Sequence, residues 1–236
     1  MLKRNVMKFV TATVAAMSIA AATIHAQDLG VLAPANLAKP RPKAPFDITG
    51  TWFIDLGFPG SWRFGPPYPK LTPEAQVHFD AARRAQAEGK VYRDDIGQCW
   101  PAGVPLIMTR VWSISMVQLP TVTYMISGFM NSLRVINLDG RSHTDPDLIV
   151  RTFNGDSIGR FEGDALHIVE RVKLVANGTK MQIEYTMTDP KSWEGEWKMT
   201  KQWNRVDSRD MEIAEVECLP DLNSHIPSTQ SKQNVR

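Results

Sequence analysis

Histidine, aspartate, glutamate and arginine crowd into residues 136–175, INLDGRSHTDPDLIVRTFNGDSIGRFEGDALHIVERVKLV, between runs that alternate as strands do. Read as one strand, ALHIVERVKLV puts Leu166, Ile168, Glu170, Val172 and Leu174 on one face, with His167, Val169, Arg171 and Lys173 on the other. Glu170 is then an acid in an apolar row. Desolvation there disfavours its charged form and moves it toward the range useful to a general base. The alternative is a structural pair with a basic residue on an adjacent strand.

In DSIGRFE, Asp156 shares a face with Ile158, Arg160 and Glu162. Asp156 and Arg160 can orient a polar ligand group there, or stand in an edge-strand ladder of ion pairs. Gly155 and Gly159 hint at bends. His143, Asp145 and Asp147 alternate nitrogen and oxygen donors, which invites a metal reading. No HExxH, cysteine tetrad or Ca²⁺ loop accompanies them, so His143 is read instead as an acid/base or ligand-facing imidazole, or as a turn residue. The chain carries no GxSxG elbow, P-loop or dinucleotide fingerprint. Neither metal nor cofactor is expected, and what remains is cofactor-free proton transfer or no chemistry.

These side chains need a frame. VWSISMVQL, TVTYMISGF, LRVINLD, TKMQIEYTMTD, EWKMTKQWNRV and MEIAEVEC are short, rich in branched and aromatic residues, and separated by turn signals. Asn177-Gly178 joins two long alternating runs, as a tight hairpin would. With GTWFIDL, DSIGRFE and ALHIVERVKLV there are about nine antiparallel strands, which suits an up-and-down barrel or a sandwich, and the barrel is preferred. One N-terminal amphipathic helix follows GTWFIDL and precedes the other strands in LTPEAQVHFDAARRAQAEGK, with Thr72 as cap, Pro73 and Glu74 in its first turn and Gly89 as its stop. Its apolar face is Val77, Phe79, Ala81, Ala82 and Ala85; His78 reads as a surface residue. Trp112, Met116, Tyr124, Met125, Phe129, Met130, Trp197, Met199 and Trp203 fall in strands, and SWRFGPPYP could cover a barrel mouth. Most of these are core, but a barrel this size can enclose one flat hydrophobic ligand.

The first 26 residues read as a signal peptide: Lys3, Arg4 and Lys8, then a short apolar run, then Ala26 before the expected cleavage. Residues 27–46 read as a Pro/Ala-rich mobile linker, 47–219 as the barrel domain and 220–236 as a disordered tail. Of 27 Lys plus Arg, three lie in the leader, which leaves 24 against 25 Asp plus Glu. A near-neutral mature chain gives no support to nucleic-acid or anionic-membrane binding, and no later run is long enough for a membrane span. The expected location is periplasmic or secreted. Cys99 and Cys218 can persist as a disulfide there, or as two buried free thiols; neither has CxxC spacing.

Taken in order, DITGTW, LTPEAQ, CWPAGVP, LDGRSH, GDSIGRFEGDALHIVERV and MTDPKSWEGEW resemble a widespread, mostly uncharacterised family of secreted bacterial proteins with lipocalin-like or calycin-like barrels. The resemblance runs from about Asp47 to Cys218. It implies that Cys99 and Cys218 pair, and that Arg134, His143, Asp156, Arg160 and Glu170 occupy recurrent polar positions. Family members commonly carry a further strand and histidine between the EGD piece and the VERF-like strand; here the two run together.

The expectation is an exported, cofactor-independent lyase or isomerase acting on a hydrophobic, aromatic molecule, phenolic and of the lignin-derived kind. Glu170, His143 and Asp156 form the candidate catalytic set, with Glu170 or His143 removing a proton. Trp112, Tyr124, Arg134 and Arg160 are the substrate-binding candidates, the last three stabilising negative charge on an oxygen. The alternatives are a periplasmic carrier for such a molecule and an envelope protein whose interior is only core.

Overall fold

The computed structural model describes residues 30–41, 43–60, 64–110, 112–130, 132–145, 147–148, 152–162, 165–167, 170–207 and 218. The expected leader, the tail and most of MEIAEVEC lie outside the described residues. Contacts divide the chain into two units, Met1–Pro40 and Arg41–Arg236. In the first, the stretch expected as a linker holds a one-turn helix, Pro34–Leu37, with Asn36 buried and donating to the Gly30 carbonyl at 3.3 Å.

The second unit is mainly β. Its strands are β1 (Gly50–Ile54), β2 (Ile114–Gln118), β3 (Val122–Ser127), β4 (Leu133–Asn137), β5 (Ser157–Ile158), β6 (Arg160–Glu162), β7 (Ala165–His167), β8 (Glu170–Val175), β9 (Lys180–Met187) and β10 (Trp197–Val206). They form one sheet in the order β5-β4-β3-β2-β1-β10-β9-β8-β7-β6. Every neighbour in that order is a neighbour in sequence except β1 and β10, which is a meander returning to its start. Gly159 alone separates β5 from β6, the two ends of the order. The sheet is therefore curled until its edges are consecutive in the chain. Among the described residues no ladder joins those edges, so the curl is barrel-like without closing in hydrogen bonds.

Alternation decides the interior. Met181, Ile183, Tyr185 and Met187 of β9 are buried while Gln182 and Glu184 are half-exposed. Met116, Met125 and Arg134 stand opposite one another across β2, β3 and β4, so they share the inner face. Trp52 and Trp203 are fully buried, and the Trp52 indole donates to the Ile48 carbonyl at 2.9 Å. Each such side chain removed from water contributes on the order of 1.5–3 kcal/mol.

Three sequence expectations need correction. The strands are not all antiparallel: β5 lies parallel to β4, because the chain between them makes a long crossover rather than a hairpin. DSIGRFE is not one strand, since it breaks at Gly159 and leaves Asp156 in the preceding loop. ALHIVERVKLV is also two strands, β7 and β8, paired antiparallel with Leu166 opposite Val172. Its run of branched residues holds no turn signal, which is why it reads as continuous; Ile168 and Val169 lie outside the described residues.

The helix Pro73–Ala87 forms with Thr72 accepting from the Ala75 amide at 3.3 Å and Glu74 in its first turn. No helix residue is buried, and Val77 is exposed, so the apolar face is narrower than expected. His78 is exposed and bonds Tyr92 Oη at 2.9 Å. The Asn177-Gly178 turn closes the β8–β9 hairpin with left-handed Ala176, Asn177 and Gly178. Cys99 and Cys218 are joined in a disulfide with Cα atoms 5.6 Å apart. No helix among the described residues is long and apolar enough to cross a membrane.

Candidate active site

Glu170 opens β8 and faces inward, 1% exposed, with Arg171 outward and Val172 inward. Its two carboxylate oxygens accept from Nη1 and Nη2 of Arg134 at 2.9 and 3.1 Å. Arg134 is on β4, with five strands between it and β8 in the sheet order, so only the curl brings the two together. Arg134 Nε donates to Ser157 Oγ at 3.0 Å, so all three guanidinium nitrogens are engaged. Around the pair the interior is filled: the cavity lined by Glu170, Arg134, Met116, Met125 and their neighbours measures about 10 Å³. That is room for a single water, not for an aromatic ligand. The geometry is that of the buried ion pair, the alternative to a free general base.

Beside Glu170 on β9, Tyr185 is fully buried; burial pushes its phenol well up, the Glu170 charge adds to that, and Arg134 opposes it. A third charged side chain is buried in the interior, one that the sequence reading does not single out. Lys201 of β10 stands in the inward row Trp197, Met199, Lys201, Trp203 and is fully buried. Its Nζ donates to the Gly60 carbonyl at 2.9 Å and lies 4.6 Å from the Phe64 ring centroid. Burial pulls its pKa from 10.5 to about 8.

The folded chain therefore sheds this proton earlier than the unfolded chain does. Its stability should rise as pH climbs through the window from about 8 to 10.5. Melting temperatures at pH 7.5 and 9.5 should show the parent gaining on Lys201→Met with rising pH; parallel shifts in the two proteins would contradict a titrating Lys201.

Outside, at the end of the β4–β5 crossover, two candidates thirteen residues apart meet. His143 Nδ1 lies 3.2 Å from Asp156 Oδ2, and the same oxygen accepts the Thr144 amide at 2.8 Å. Burial works to raise the Asp156 pKa, but the Thr144 amide and His143 outweigh it and hold the carboxyl below its ordinary value. Asp156 is thus ionised and can only accept, so His143 donates from Nδ1; in the neutral ring this places the lone pair on Nε2. The imidazole is 58% exposed and the carboxylate 18%, so the pair is reachable from solvent. Arg141 is clamped to Asp139 through Nε at 2.8 Å; that bond raises its pKa against burial, and the Asp156 charge adds to the rise. Thr144 and Arg141 carry no signal of their own in the sequence beyond their place in or beside LDGRSH. Asp145 accepts from the Asp147 amide rather than joining His143, and among the described residues no three His, Cys, Asp or Glu side chains converge as metal ligands.

Asp156 follows Gly155, which lines a surface groove of about 390 Å³ walled by Pro101, Leu133, Val135 and Phe153, with Ser132, Thr152 and Asn154 as its polar members. Tyr124 stands opposite Val135, so the phenol lies on the groove side of the sheet and Arg134 on the other. Tyr124 and Arg134 therefore do not converge on one oxygen. Arg160 is exposed on β6, and Trp112 stacks on Phe129 at 4.2 Å. Of the seven candidates, Glu170 meets Arg134 inside and His143 meets Asp156 outside.

No family model, curated protein or solved structure matches the chain.

Proposed function

We propose that the protein is an exported, cofactor-independent lyase or isomerase acting on a hydrophobic, aromatic small molecule, with His143 as general base and Asp156 as its orienting partner. The observation that carries this reading is the Asp156 carboxylate 3.2 Å from Nδ1 of the mostly exposed His143 ring. In this reading Nε2 takes a proton from the substrate and the imidazolium returns it to the leaving fragment or to a neighbouring atom. The groove beside Gly155 receives the ring, Phe153 and Leu133 supply apolar wall, and Tyr124 offers a hydroxyl on the same side. The disulfide supports an extracytoplasmic location, and the meander order supports a lipocalin-like relationship.

His143→Ala should lower turnover by roughly 10²–10⁴ while the melting temperature stays close to the parent's, because the imidazole is mostly in water. Asp156→Asn should lower turnover too, through loss of the oriented tautomer. Ligand-induced stabilisation without turnover in the parent would favour a carrier instead.

A further inference from the structure

A buried ion pair adds little stability over apolar side chains of the same volume, so packing alone does not account for Glu170 and Arg134. Their third partner does. Arg134 spends Nη1 and Nη2 on Glu170 and Nε on Ser157 Oγ, so the guanidinium is fixed in plane and in turn fixes Ser157. Ser157 belongs to the two-residue strand β5 at the end of the sheet order. Besides Arg134, β5 is held by its short ladder to β4, by the Gly159 amide on the Asn137 carbonyl at 2.8 Å, and by Asn137 Nδ2 on the Ser157 carbonyl at 3.4 Å. Ser157 is buried and the residue before it, Asp156, is directed outward to His143 and the Thr144 amide. Whatever holds Ser157 holds the dyad's carboxylate.

We propose that the buried Glu170–Arg134–Ser157 chain is a positioning device for the His143–Asp156 dyad, a role that rests on reading that dyad as the acid/base pair. Ser157 and Arg134 touch no substrate; they act through the backbone of Asp156.

The test is the ring tautomer of His143, read from imidazole ¹⁵N shifts of the labelled full mature chain near neutral pH, with the His143 signals assigned by their loss in His143→Gln. The parent should show the proton on Nδ1. Ser157→Ala keeps the Arg134–Glu170 pair but removes the hydroxyl, and should move the tautomer ratio toward Nε2–H by about threefold or more. Ser157→Thr restores a hydroxyl and should return the ratio toward the parent's. A general loss of stability would not discriminate between these two variants. An unchanged ratio in Ser157→Ala, with the parent on Nδ1, would overturn the positioning role and leave the dyad standing. A parent without the Nδ1 proton would overturn the dyad itself, and this proposal with it.

Discussion

Glu170→Gln should destabilise the fold by roughly 3–5 kcal/mol, because it strands the Arg134 guanidinium in the interior without its anion. Glu170 and Arg134 are 1% and 3% exposed on their side chains, so water cannot replace the lost partner. For a domain of this size that loss is roughly 6–20 °C in melting temperature. The double replacement Glu170→Leu with Arg134→Met should recover much of it, since both charges then leave together. Glu170→Gln melting with the parent would show that the pair is not formed.

Loss of the disulfide should be of similar size. Cys99 and Cys218 are 119 residues apart, a long loop to close. In the chain-entropy account, releasing it costs about 5 kcal/mol, an upper value since unfolded chains retain structure. Cys99→Ser with Cys218→Ser should melt well below the parent, and addition of reductant should move the parent to meet the double variant. Non-reducing mass analysis of exported protein should show two hydrogens fewer than the reduced chain. Two free thiols in that material would defeat the prediction.

Much of the frame was legible because it depends on local patterns. Branched runs punctuated by Asp-Gly and Asn-Gly specify short strands in meander order, and Thr72, Pro73 and Glu74 specify a helix start. The inward direction of Glu170 followed from the apolar residue two positions on, even though the longer strand assumed for it breaks after His167. Its partner was not legible: Arg134 lies on β4, and only the curl of the whole sheet brings β4 to β8. The meeting of His143 with Asp156 was hidden for a related reason, since it depends on a parallel crossover that local alternation does not encode. Lys201 shows a signal present but passed over. It is a charge in an inward apolar row, the same pattern that singled out Glu170, yet lysines on strands ordinarily face water.

The most direct measurement is turnover of a panel of phenolic, lignin-derived dimers by the parent and by His143→Ala, both exhaustively chelated, with binding followed by thermal shift in the same samples. The account predicts turnover by the chelated parent and a fall of roughly 10²–10⁴ in His143→Ala, with ligand-induced stabilisation retained in both. Equal turnover by the two proteins would contradict it, as would activity that returns only on addition of one divalent ion.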